Sequence, residues 1–156
     1  MHLEPLVEAH AVDMFALFGD PEMWTYLDSG PPHTQVALAA RYRRLESRRS
    51  PDGTEFWLNW AVYTESVLIG FVQATVLPGS RALIAYFIGK RYWSRGFATD
   101  ATRTMLTFLA GRFPKTDFEA VVDERNVSSL RLLRRLAFSI VDGKDAENLR
   151  LSLPAV

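Results

Sequence analysis

Between Phe56 and Gly89 three strand-length apolar runs follow one another with only short turns between them. Phe56, Leu58, Trp60 and Val62 alternate with Trp57, Asn59, Ala61 and Tyr63, the spacing of a strand with two different faces. Thr64-Glu65-Ser66 reads as a tight turn. Val67–Leu77 reads as a second strand, long enough to hold a bulge or bend at Gly70. Leu77-Pro78-Gly79-Ser80 is another turn, and residues 82–89 form a third strand. Connections this short join antiparallel neighbours, whereas a parallel pair needs a crossover of a dozen or more residues. The middle of the chain is therefore an antiparallel meander, and the flanking segments must cover its faces.

The flanks supply helices. Residues 3–6 predict a short first strand with Pro5 at an edge. Val12, Phe15, Leu17 and Phe18 give residues 8–18 a helical apolar face. Asp20-Pro21-Glu22 starts a second, short helix. Thr34 caps a third, predicted to run to about Arg49, before Ser50-Pro51-Asp52-Gly53 stops it. Residues 97–109 are helical, with Ala98, Ala101, Met105, Leu106 and Leu109 inward. Residues 118–122 are nearly all apolar, as in a strand covered on both faces. Asn126 caps a helix through Leu136, with Leu130, Leu133 and Leu136 inward. Residues 138–141 and Asn148–Leu153 are closing strands, turned at Asp142-Gly143-Lys144. The order β-α-α-α-β-β-β-α-β-α-β-β indicates an α/β (α+β) fold with one mixed sheet.

Composition narrows the class. The 156 residues suit one domain spanning 1–156, and 18 basic residues balance 18 acidic ones. A hydrophobic share of 48% and zero net charge exclude an intrinsically disordered chain. With no cysteine, disulfides, thiolate metal sites and a thiol nucleophile are excluded. No His/Asp/Glu cluster has ligand spacing, so no metal is expected. No apolar run reaches membrane-helix length, and the start lacks the basic and apolar regions of a secretory signal. The expectation is a cytoplasmic protein with neither membrane nor nucleic acid as partner.

Chemistry concentrates between the third strand and the helix after it, in Gly89-Lys90-Arg91-Tyr92-Trp93-Ser94-Arg95-Gly96-Phe97-Ala98-Thr99-Asp100-Ala101. Gly96 and the small Ser94 and Ala98 let backbone approach a ligand, and unpaired N–H groups at a helix start form an anion site. Lys90, Arg91 and Arg95 add positive potential. The segment is neither a Walker loop nor a dinucleotide fingerprint, since both glycine patterns are missing. A second polar helix start, Asn126-Val127-Ser128-Ser129, follows the short strand.

Taken together, the chain resembles the GNAT superfamily of acyl-CoA N-acyltransferases, most closely the branch with RimJ/RimL-type protein N-terminal acetyltransferases. The residues that carry the resemblance are Tyr92-Trp93-Ser94-Arg95-Gly96-Phe97-Ala98-Thr99-Asp100-Ala101, Ala85-Tyr86-Phe87-Ile88, and Asn126, Ser129, Leu136, Ala137 and Phe138. It implies a mixed, mostly antiparallel sheet with helices on both faces. Acetyl-CoA would be the co-substrate. Its pyrophosphate would lie on backbone N–H groups of Ser94, Arg95, Gly96, Phe97, Ala98 and Thr99, with Arg91 nearby. The strand ending at Ile88 would splay from residues 118–122, and the pantetheine arm would lie in that V. An N–H near Phe87 or Ile88 would polarise the thioester carbonyl, Asn126 would hold the pantetheine arm, and Ser129 would donate to the departing thiolate. Arg134, with Arg131 and Arg135, falls where the 3′-phosphate runs in relatives. An amine of a small molecule or a protein N-terminus would attack directly, and many relatives pair as homodimers.

Two departures stand out. Leu83 occupies the position of the usual general-base Glu, and Leu133 that of the usual general-acid Tyr. Asp123, Glu124 and His33 are the remaining candidates for proton transfer or for holding a cationic acceptor, while His2 and His10 read as surface residues. Trp24, Tyr26, Trp57 and Trp60 are either core or acceptor-pocket aromatics. Arg41, Arg43, Arg44, Arg48 and Arg49 read as a solvated helix face or an anion-binding one. The main alternative to an enzyme is a GNAT-fold acyl-CoA-binding module with little or no turnover.

Overall fold

The alternation in the middle of the chain becomes three strands, β2 Phe56–Thr64, β3 Val67–Leu77 and β4 Arg81–Ile88, in a computed structural model that describes residues 1–141 and 148–155. Glu65 and Ser66 both take positive φ in the β2–β3 turn, the geometry that matches strand twist in a two-residue hairpin. The even-numbered residues Leu58, Trp60, Val62, Ala82, Ile84 and Ile88 enter one core. The odd-numbered Ala61, Tyr63, Phe71 and Phe87 face a second core on the other side. Period two thus assigns each strand residue to a layer.

The bulge anticipated near Gly70 is present. Val62 pairs with Gly70 but Tyr63 pairs with Leu68, so Ile69 is the extra residue. Gly70 itself is required by the neighbouring strand, because a Cβ there would lie 2.0 Å from the Phe87 carbonyl oxygen.

The sheet is completed by β1 His2–Pro5, β5 Asp117–Asp123, β6 Ser139–Ile140 and β7 Asn148–Leu153, in the order β1-β2-β3-β4-β5-β7-β6. Among the described residues only the β4–β5 pair is parallel, as its crossover helix α3 Phe97–Arg112 demands. On one face α3 and α4 Val127–Arg135 share a core with β2–β5. On the other, α1 Ala11–Leu17 and α2 Gln35–Leu45 pack over Ala61, Leu68 and Phe71. The mixed, mostly antiparallel sheet with helices on both faces is as expected.

Several boundaries moved. The segment expected as one helix over 8–18 divides into a 3-10 turn, Glu8–His10, and α1. The short second helix is a single 3-10 turn, Pro21–Trp24, whose Glu22 N–H donates to Asp20 Oδ1 as the capping pattern suggests. Helix α2 stops at Leu45, not Arg49. There the Ser47 hydroxyl bonds the carbonyl oxygens of Arg44 and Arg49, and Arg48 turns to φ 57°. This is a serine satisfying backbone groups that the helix would otherwise use. The turn expected at 142–144 lies outside the described residues.

Candidate active site

Strands β4 and β5 pair only at Arg81–Asp117, Ala82–Phe118 and Leu83–Glu119. Beyond that point β5 stays with β7 as far as Asp123–Asn148, while β4 stays with β3 as far as Ile88–Gly70. Each strand follows its antiparallel partner, and a V opens between them. The expected splay is therefore present.

The strand register says which backbone groups face this V. Gly89 N–H donates to the Ile69 carbonyl at 2.8 Å, so Gly89 points towards β3. Neighbouring residues in a strand point their backbone groups to opposite edges. Ile88 and Tyr86 consequently face the V, and Phe87 faces β3. Of the two residues named for the carbonyl contact, Phe87 has its N–H spent on β3 and Ile88 does not. The Ile88 carbonyl is already taken by the Trp93 indole N–H at 2.6 Å, which fastens the following loop to the mouth of the V.

That loop leads into α3 through Ser94 at φ 59° and Gly96 at φ 85°. Gly96 is the N-cap residue and offers no side chain to the helix. The first N–H groups of a helix have no intrahelical partner. Among the described residues, those of Phe97, Ala98 and Thr99 are satisfied by no protein group, and the first bond closes at Asp100. The Arg91 guanidinium lies 4.9 Å from the centre of the Tyr92 ring, and that of Arg95 lies 4.9 Å from Phe97. Stacking occupies their faces and leaves N–H edges for an anion. Lys90 departs from expectation. Its Nζ lies 2.6 Å from Glu22 and 3.6 Å from Asp20, so its charge is compensated within the protein.

The opposite wall is the start of α4. Asn126 Oδ1 accepts from Ser129 N–H at 3.0 Å. Across the V, the Tyr86 hydroxyl meets Ser129 Oγ at 2.5 Å, a contact that sequence reasoning missed. Burial pushes the Tyr86 phenol up to about 12, so it stays protonated at neutral pH.

Asp123 is corrected as a proton acceptor. It is buried at the end of β5, and both oxygens take hydrogen bonds from Arg125. Those bonds hold its carboxyl at about 2, too acidic to take a proton from an amine near neutrality. Glu124 is exposed in the same turn, and His33 is exposed in the loop ahead of α2. Arg134 is exposed in the last turn of α4, the end away from Asn126 and Ser129. Leu133 is fully buried in the core and Leu83 is partly exposed on the α1–α2 side of the sheet, so neither position carries a proton-transfer group.

Of the aromatics, Trp60 is core, and Trp57 donates to Glu55 at 2.8 Å. Trp24 lies 5.0 Å from Phe87, edge-on to Phe18, and donates its indole N–H to the Phe18 carbonyl. With Phe71 these rings wall the α1–α2 side of the end of β4. Tyr26 is exposed beyond them.

A profile for the acetyltransferase (GNAT) domain matches residues 1–139. The chain belongs to the GNAT acetyltransferase family. Its GNAT fold recurs in RimL, a ribosomal L7/L12 alpha-N-protein acetyltransferase solved with coenzyme A. That structure covers 98% of this chain and 93% of its own, at a TM-score of 0.81 and 16% identity. An acetyltransferase from Thermus thermophilus covers 98% of this chain and 96% of its own, at a TM-score of 0.78 and 16% identity. In sequence, the uncharacterized N-acetyltransferase p20 of Bacillus licheniformis is 26% identical over 123 residues, 78% of this chain and 68% of its own. Acetyl transfer is the activity that this GNAT membership supports.

Proposed function

We propose that this GNAT protein transfers the acetyl group of acetyl-CoA to a primary amine by direct attack, with a protein α-amine as the acceptor class. The observation that carries the reading is the V. It brings an unspent strand N–H, an uncapped helix start and a hydroxyl pair to one opening. Its chemistry matches a thioester with a diphosphate tail: an anion cradle of Ser94–Thr99 backbone with Arg91 and Arg95, then the gap between β4 and β5. Asn126 would steady the pantetheine arm with its amide.

In this mechanism the amine nitrogen bonds to the carbonyl carbon and the carbonyl electrons move to oxygen. Ile88 N–H donates to that oxygen as charge develops, which is where a positioned donor lowers the barrier most. The C–S bond then breaks. Ser129 donates a hydrogen bond to the leaving thiolate, which takes its proton from water. With the Tyr86 hydroxyl as donor in its 2.5 Å contact with Ser129 Oγ, the serine hydrogen is turned towards the sulfur. The amine loses its own proton to water, since the Arg125 hydrogen bonds leave Asp123 too weak a base to take it. The rate should therefore rise with pH as the acceptor amine deprotonates. The limb would fall near 8 for an α-amine and near 10 for a lysine, and Asp123→Asn should leave it in place. The RimL likeness supports the α-amine choice, since that protein is an alpha-N-protein acetyltransferase.

The test is a thermal-shift titration with acetyl-CoA, with ATP as control, followed by acetylation of a panel of peptides and small amines. At about 100 times the dissociation constant, binding adds roughly 2.7 kcal/mol of stability. A clear shift with turnover on free N-terminal peptides supports the proposal. A shift without turnover on any amine makes the protein an acyl-CoA-binding module, the reading that Leu83 and Leu133 favour. No shift at millimolar acetyl-CoA overturns both.

A further inference from the structure

At the end of the sheet away from the V, a cleft of about 230 Å³ opens between the C-terminal end of α3, the start of β2 and the turn after α2. The whole length of α3, roughly 22 Å at 1.5 Å per residue, separates it from Gly96. The site described above uses none of its lining.

Three arginines from two elements converge there: Arg48 and Arg49 from the turn and Arg112 from the last turn of α3. Each guanidinium stacks on an aromatic ring. Arg48 lies 5.6 Å from the centre of Trp60, Arg49 4.3 Å from Phe56 and Arg112 5.7 Å from Phe113. Among the described residues, none of the three forms an ion pair with a carboxylate. The acidic side chains closest in sequence are engaged elsewhere. Asp52 accepts from Ser50 and Thr54, Glu55 from the Trp57 indole, and Glu46 from the Glu8 N–H. Stacking fixes the guanidinium faces and leaves donor edges directed outward; one edge of Arg49 reaches the Gly53 carbonyl.

The site is also built. Arg48 is held at φ 57°, its N–H bonded to the Leu45 carbonyl and its carbonyl to the Trp57 N–H. Ser47 bonds both flanking carbonyls. The floor is apolar: Phe56 lies 5.1 Å from Phe113, and Phe108 is 48% exposed. An exposed aromatic floor ringed by guanidinium groups that have no carboxylate partner among the described residues suits a ligand with one apolar ring and one anionic group. The volume agrees with that size, since a cavity of about 150 Å³ holds benzene.

We infer that this cleft is a second ligand site, for a small organic anion with a single ring and a carboxylate or phosphate. Its location makes it independent of acetyl-CoA binding.

Phenyl phosphate and benzoate should each titrate the full chain to one-to-one saturation by calorimetry. Inorganic phosphate and benzyl alcohol, lacking the ring or the charge, should bind at least tenfold more weakly. Whichever of the two anions binds tighter names the anionic group. Arg48→Gln and Arg112→Gln should each weaken binding tenfold or more, the effect of losing a charge-assisted hydrogen bond. Saturating CoA should leave the affinity unchanged. Chemical-shift changes on the wild-type protein should centre on Trp60, Phe108 and Phe113, a readout that needs no variant to fold. Failure to saturate at 10 mM, equal binding by the arginine variants, shifts centred elsewhere, or displacement by CoA would each overturn the inference.

Discussion

Two helices begin at the mouth of the same V, and they begin differently. Helix α4 opens on Asn126, whose side-chain oxygen takes the Ser129 N–H, and α2 opens on Thr34, whose hydroxyl takes the Ala37 N–H. Helix α3 opens on Gly96, which has no side chain to give. A cap is worth about 1 kcal/mol, so the longest described helix, of 16 residues, forgoes stability that two shorter ones keep. Its core compensates: Ala101, Met105 and Leu109 are fully buried. The contrast separates donors used by the fold from donors left for a ligand, and that division locates the proposed anion cradle.

Gly96→Asp should break the contrast outright. A carboxylate at the uncapped end would meet the positive helix terminus from within and repel a phosphate from outside. The stabilisation by acetyl-CoA, about 2.7 kcal/mol at 100 times the dissociation constant, should vanish. The melting midpoint without ligand should move by no more than about 3 °C, since strain at a left-handed position and the gain at the helix end oppose each other. Thermal shift with and without acetyl-CoA reads both quantities. A full response in the variant would show that the open start of α3 is not where the diphosphate sits.

The second test sharpens the comparison from the capped side. Asn126→Ala and Thr34→Ala remove equivalent caps, and each should cost about 1 kcal/mol, or about 2–4 °C in midpoint. Thr34→Ala should keep the acetyl-CoA response intact. Asn126→Ala should lose affinity as well, because its amide is assigned to the pantetheine arm. Equal responses from the two variants would reduce Asn126 to a cap.

What could be read ahead of the structure followed the same division. Alternation from Phe56 to Tyr63 fixed the strand faces, and the glycine after Tyr92-Trp93-Ser94-Arg95 marked an open helix start, because both are local patterns. What escaped reading depends on distant or competing partners. Tyr86 meets Ser129 across 43 residues, and Lys90 meets Glu22 across 68. No spacing rule announces either contact. Asp123 looked available until Arg125, two residues on, folded back over it. Helix α2 ended early because Ser47 took carbonyls that apolar periodicity cannot see.

The smallest expected effect tests whether an unspent donor always signals a ligand. Tyr42 lies in α2 with 4% of its surface exposed, and its hydroxyl has no hydrogen-bond partner among the described residues. Burial raises its pKa well above the ordinary phenol value, so the group stays neutral. Here the leftover donor is buried, in a residue of the core cluster that includes Met14, Leu38 and Leu68, and does not face an opening. An unsatisfied buried hydroxyl costs about 1–3 kcal/mol, partly offset by the packing of its oxygen. Tyr42→Phe should therefore raise stability by up to about 1 kcal/mol, read as a midpoint gain of about 2–4 °C, with acetyl-CoA affinity unchanged. Destabilisation instead would mean that the hydroxyl has a partner, such as a buried water. The rule would then be simple: among the described residues, donors that are truly unpaired lie where a ligand can reach them.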